Sequence, residues 1–184
     1  MVRKTYLDSN ILLAVSAGLE KEPDQFRMAT RVLDEIGSGD ALGTVSSLAL
    51  MEVITVMRVK KGRETHRLGS MPDDQQSEFV LRESRSMYGK LIAELMKLPG
   101  LKFEHGQNVG VGTVMKNALN IIHETGGHVR RSGKSRFSGV GTVDVLHTLL
   151  AKNMGCDELV TFDKGFDEMA RIAAFEGLTF RILN

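Results

Sequence analysis

The chain has 184 residues, 42% of them hydrophobic and 26% charged, which suits one soluble domain with a full core and excludes a disordered tail or fibre. Twenty-four basic residues against 23 acidic ones leave a net charge of +1, so total charge points to no polyanionic partner. The single cysteine, Cys156, excludes an intrachain disulfide framework and a cysteine-based zinc cluster, and reads as structural.

In chain order, Arg3–Leu7 reads as a first strand, followed by a short helix over Ile11–Gly18 with Ser9 or Asn10 near its cap. Pro23–Ile36 carries Phe26, Ala29, Val32, Leu33 and Ile36 at helical spacing, and Gly37 with Gly39 stop it. Ala41–Val45 is the second strand. Ser46 or Ser47 then caps a helix to about Lys60, with Leu48, Met51, Ile54 and Val59 as its apolar positions. Lys61–Asp74 is polar and reads as a loop. Asp73 or Asp74 opens a long helix to Leu98, its inner face drawn through Leu81, Tyr88, Leu91, Leu95 and Leu98. Leu101–His105 is a third strand, Glu158–Phe162 a fourth and Thr179–Leu183 a fifth. Thr113–Glu124, Val143–Met154 and Lys164–Phe175 are the remaining helices.

Strands joined by helical crossovers imply a parallel sheet covered on both faces, hence a three-layer α/β/α domain spanning residues 1–184. The first and last strands show few inward charges, the pattern of central strands. No apolar run approaches the roughly 20 residues that span a bilayer, and the first residues lead into a strand rather than a signal segment. A cytoplasmic protein without membrane contact is the expectation.

Asp8 and Asp163 each stand just past a strand that hands over to helical sequence. A buried carboxylate there is costly unless something positive meets it. In open α/β sheets that edge is also where ligands bind, at the point where strand order reverses. Glu52, between Met51 and Val53, and Asp144, between Val143 and Val145, can reach the same edge. Each acid also has a plainer use. Asp144 suits a helix dipole, Asp163 an N-cap, and Glu52 a surface pair with Arg58 or Lys60. Their shared placement favours a divalent cation. Hard oxygen ligands suit Mg²⁺ or Mn²⁺.

Four segments, taken in order, resemble the PIN-domain nucleases, a family that includes the VapC-type toxins. They are Tyr6-Leu7-Asp8-Ser9-Asn10-Ile11-Leu12, the isolated Glu52, Asp144-Val145-Leu146-His147-Thr148, and Val160-Thr161-Phe162-Asp163-Lys164-Gly165-Phe166. The resemblance implies a doubly wound five-stranded sheet of order 3-2-1-4-5 and metal binding by Asp8, Glu52, Asp144 and Asp163. Asn10 and Thr161 fall at positions that shape such a site. It further implies a Mg²⁺- or Mn²⁺-dependent endoribonuclease acting through water, an antitoxin partner if the chain is a toxin, and a homodimer. Two other readings compete, a non-catalytic RNA-binding or scaffold module and a structure-specific DNA nuclease.

The segment Gly126–Gly141 holds His128, Arg130, Arg131, Lys134, Arg136 and Phe137 with no acid until Asp144. Its Arg130, Arg131, Lys134 and Arg136 are candidate RNA phosphate contacts, against the plainer reading of a solvated loop. Gly133-Lys134-Ser135 is not a phosphate-binding loop, because that pattern needs glycine where His128 stands. Asp8-Ser9-Asn10 lacks the second aspartate of phosphotransfer sites that use an aspartyl nucleophile. His147, one turn after Asp144, has no second histidine at ligand spacing and reads as structural.

Overall fold

Alternation along the first strand, β1 (Arg3–Leu7), sends Tyr6 into one apolar layer and Leu7 into the other. The computed structural model describes residues 2–68, 72–104, 116–118, 120–121 and 141–184. Its strands continue with β2 (Ala41–Ser46), β3 (Leu101–Glu104), β4 (Glu158–Thr161) and β5 (Thr179–Ile182), all parallel, in the order β3-β2-β1-β4-β5. In β4 the same period of two gives Leu159 to the Tyr6 layer and Val160 to the Leu7 layer. A strand buried on both faces requires this, and it makes the sheet the middle layer.

The Leu7 layer is covered by α1 (Ser9–Lys21), α2 (Pro23–Gly37), α3 (Ser47–Leu68) and α4 (Asp73–Leu95), through Ile11, Leu12, Val32, Ile36, Val53, Met57, Leu91 and Leu95. The Tyr6 layer is covered by α5 (Thr142–Asn153), the short α6 (Phe166–Met169) and a 3₁₀ turn (Ala173–Phe175), with Ala118 and Ile121 packed beside them. No helix among the described residues is long and apolar enough to cross a membrane.

Several expectations need correction. Residues 61–68 are helical, extending α3 well past Lys60 into what reads as a loop. Lys61, Arg63, Glu64, Arg67 and Leu68 among them are good helix formers. The extension is held by Thr65, whose hydroxyl donates to the Lys61 carbonyl, and by Glu64, which pairs with Lys21 and Lys61. The buried stripe of α3 is Ala49, Val53 and Met57, while Met51 and Val59 face solvent. Leu81 of α4 is likewise exposed, and Ser84 takes a buried place on the inner face. The helix expected over Lys164–Phe175 is broken into α6 and the 3₁₀ turn. Asp8, not Ser9 or Asn10, is the N-cap of α1, which bends at Gly18 (φ 77°) and runs on to Lys21. The last strand, β5, lies at a sheet edge, not in the centre, and its Arg181 pairs with Glu35 of α2.

The edge strand β3 is seated by a close approach that only glycine permits. A Cβ on Gly100 would lie 2.6 Å from the backbone oxygen of Ile36, and the Gly100 carbonyl accepts a hydrogen bond from Gly43 N–H. Gly100→Ala is expected to destabilise by about 1–3 kcal/mol, since backbone must shift to admit the methyl. Thermal unfolding should register this as a drop of roughly 2–4 °C per kcal/mol.

Candidate acidic site at the strand ends

The crossover from β1 runs to β2 on one side, and the chain later returns to place β4 on the other. The strand order therefore reverses at β1, and the crevice between the carboxyl ends of β1 and β4 is the switch point. Asp8 and Asp163 follow those two strands. The Asp8 N–H donates to the Val160 carbonyl, which fixes its backbone against β4.

Asp8 is 4% exposed, and both its oxygens accept. Oδ1 takes the Ser9 N–H at 2.7 Å, and Oδ2 takes the Thr161 hydroxyl at 2.6 Å. Thr161 has no freedom in this. Its oxygen accepts from Asn10 Nδ2 at 2.7 Å and from Asp163 N–H at 3.0 Å, so its one proton goes to Asp8. Asn10 Oδ1 in turn accepts the Phe162 N–H at 3.1 Å, which fixes the orientation of its amide. Asn10 and Thr161 thus join the exit of β4 to the start of α1 and hold Asp8 between them.

Glu52 reaches the crevice from the second turn of α3. Its Oε2 lies 2.5 Å from Nε2 of His147 on α5, and the same nitrogen is 3.7 Å from Asp8 Oδ1. Asp8, Glu52 and His147 each offer a ligand atom within 4.8 Å of the others. Burial drives the Asp8 carboxyl above its ordinary range, against the opposing pull of His147 and Thr161. Burial also pushes Glu52 upward, but the bond and charge of His147, with a hydrogen bond from the Ser9 hydroxyl, outweigh it and leave Glu52 lowered. Of this pair, Glu52 is the acid that keeps its charge more readily.

Asp144 lies in the first turn of α5, over Gly141, the N-cap. Burial first, then the charges of Asp163 and Asp8, push its carboxyl up to about 6. It is therefore within electrostatic reach of both strand-end acids. Glycines make room for two of these carboxylates. A Cβ on Gly141 would meet Asp144 Oδ2 at 2.6 Å, and one on Gly165 would meet Asp163 Oδ1 at 3.1 Å. Asp163 is exposed and accepts the Gly165 N–H at 2.7 Å.

The structure thus brings Asp8, Glu52, Asp144, Asp163, Asn10 and Thr161 to one edge of the sheet. Among the described residues, no lysine or arginine forms an ion pair with the four acids. Arg130, Arg131, Lys134 and Arg136, with His128 and Phe137, lie outside the described residues. Ser46 carried no signal in the sequence as part of a site, and Tyr6 and Ser9 stood out only as members of the first motif segment. His147, read from the sequence as structural, contacts Glu52 directly.

A five-stranded parallel sheet of order 3-2-1-4-5, helices on both faces and acids at the switch point together define a PIN-like fold. Among solved structures, that of Mycobacterium tuberculosis VapC20, described as a sarcin–ricin loop cleaving toxin, is similar over 91% of this chain and 96% of that one. The TM-score is 0.50 at 15% sequence identity, so the likeness lies in the fold. No family model and no curated protein matches the sequence.

Proposed function

We propose that the chain is a Mg²⁺- or Mn²⁺-dependent ribonuclease that hydrolyses phosphodiester bonds with water as the nucleophile. The observation carrying this is the gathering of Asp8, Glu52, Asp144 and Asp163 at one sheet edge with no lysine or arginine paired to them among the described residues. Burial and then mutual repulsion there hold the Asp144 carboxyl at about 6. Such an excess of carboxylate charge is what a hard divalent cation neutralises, and oxygen donors are the ligands that Mg²⁺ and Mn²⁺ prefer.

Asp8, Glu52, Asp144 and Asp163 would hold the ion. A bound divalent cation supplies a water of lowered pKa and offsets charge on the scissile phosphate. Ser9 N–H and the Thr161 hydroxyl fix the two Asp8 oxygens, and Asn10 keeps Thr161 pointing that way. Burial of Asp8 excludes water from its inner side, so its position owes little to solvent. The basic run Arg130, Arg131, Lys134 and Arg136 precedes α5 in sequence and offers cations for the polymer backbone.

The fold shared with VapC20, a sarcin–ricin loop cleaving toxin, makes RNA the first polymer to test and favours a toxin role. An antitoxin partner and a homodimer complete this proposal on the motif resemblance alone. Structured RNA, single-stranded RNA and branched DNA should be compared with Mn²⁺ and with EDTA. Cleavage of RNA that stops on chelation and returns with Mn²⁺ is the expected result. Preference for branched DNA would move the assignment to a DNA nuclease. Binding of RNA without cleavage in any metal would make the chain a binding module.

A further inference from the structure

His147 is 1% exposed, and each of its ring nitrogens meets a polar partner. Nδ1 lies 2.7 Å from the Tyr6 hydroxyl, which lies 2.5 Å from Ser46 Oγ. Ser46 Oγ in turn accepts the Ala49 N–H at 3.1 Å. Nε2 lies 2.5 Å from Glu52 Oε2. The row runs from the end of β2, across β1, to α5, and ends on α3. It crosses the middle of the molecule and ends on a candidate metal ligand.

The proton count in this row has few solutions. An ionised Glu52 can only accept, so Nε2 must carry a proton. If the ring is neutral, Nδ1 is then an acceptor, Tyr6 donates to it, and Ser46 donates to Tyr6. If the ring is cationic, Nδ1 donates to Tyr6 and Tyr6 donates to Ser46. In both cases the Nε2 proton faces Glu52. A protonated nitrogen has no lone pair to give a metal. With the neutral ring, Tyr6 and Ser46 each donate once and accept once, and no buried side-chain polar atom among the described residues lacks a partner.

We infer that His147 is a positioning residue: Ser46 and Tyr6 hold its ring so that Nε2–H fixes the Glu52 carboxylate in the acidic crevice beside Asp8. This rests on the reading of that crevice as a metal-dependent nuclease site. Glu52 needs such a device. It projects from a helix on a flexible side chain that is 29% exposed, whereas Asp8 is fixed by its own backbone neighbours. Partners that orient a ligand commonly contribute about 10–100-fold to metal affinity.

Two variants separate the ends of the ring. His147→Gln places an amide N–H near the Nε2 position and keeps a donor for Glu52. His147→Asn places its amide near Nδ1 and keeps only the Tyr6 side. Mn²⁺ titrated alone into each folded protein should bind His147→Gln within about threefold of the wild type, and His147→Asn about 10–100-fold more weakly. Electron spin-echo spectra of the Mn²⁺-loaded wild type should show no directly bound nitrogen. In metal-free wild type, ¹⁵N–¹H spectra at fixed pH should show His147 protonated at Nε2, with an exchange-protected proton whose shift moves in Glu52→Gln.

A ring protonated only at Nδ1, a nitrogen bound to Mn²⁺, or equal Mn²⁺ affinity in both variants would each overturn the inference. The spectra of the metal-free protein decide the matter even if neither variant folds. Failure of the wild type to bind Mn²⁺ would sink the nuclease reading, and the Nε2–H to Glu52 link would still be decided in the metal-free protein.

Discussion

RNA cleavage in the presence of Mn²⁺ is expected to fall at least about 100-fold in Asp163→Asn and in Asp8→Asn, because partners of metal ligands alone are worth 10–100-fold. The two variants are not equally clean. Asp163 is exposed, and Oδ1 accepts the Gly165 N–H at 2.7 Å. An asparagine keeps that acceptor, so stability should stay within about 0.5 kcal/mol of the wild type. Asp8 is different, since both its oxygens accept, from Ser9 N–H and from the Thr161 hydroxyl. Thr161 cannot reverse its bond, its lone pairs being taken by Asn10 and Asp163 N–H. In Asp8→Asn, whichever way the new amide turns, its NH₂ group would face one of these two donors. Such a mismatch is worth about 1–3 kcal/mol, set against relief of a buried charge. Circular dichroism beside the cleavage assay separates lost chemistry from lost fold. Cleavage retained in both folded variants would remove the four acids from the mechanism.

What the sequence made legible, and what it hid, follows from the range of the interactions. Tyr6-Leu7-Asp8 and Val160-Thr161-Phe162-Asp163 announce strand ends because a period of two and an abrupt carboxylate are local signals. The order of the five strands then follows from the resemblance and fits the crossover rules. Asn10 and Thr161 stood out only as motif positions. Their bond to each other, 151 residues apart, needs β1 and β4 side by side with Leu7 level with Val160. The row from Ser46 through Tyr6 and His147 to Glu52 is less visible still. It depends on the β1–β2 register, which sets Tyr6 opposite Thr44, and on α3 and α5 both leaning over that edge. Tyr6 also looks like any core aromatic of a strand. In α3 the apolar residues Met51 and Val59 lie on the exposed side, so counting hydrophobic residues alone chose the wrong stripe. Small Ala49, with Val53 and Met57, makes the real contact with the core.

Asp144 is where magnitude decides between the plain reading and the functional one. With no metal, the folded protein holds this carboxyl at about 6 against an ordinary 3.8. Between those values the folded state binds a proton that the unfolded state has released. Stability therefore falls as pH rises through this window, is fully favoured below about 4, and has lost this contribution above about 6. The loss is on the order of 1–3 kcal/mol once partial solvent screening is allowed for. Asp144→Asn should raise the melting temperature of the metal-free protein at pH 7 by several degrees and leave it little changed near pH 4. On the proposed metal site, added Mn²⁺ should stabilise the wild type more than the variant, because only the wild type would bring four carboxylates to the ion. A first-turn acid serving only the helix dipole predicts the opposite sign. Its removal would lower stability at pH 7 by about 0.3–1 kcal/mol, with no response to Mn²⁺. Melting curves of the two proteins at pH 4 and pH 7, with and without Mn²⁺, distinguish these outcomes by direction and not only by size. The burial of Asp144 and repulsion from Asp163 and Asp8 all favour the first.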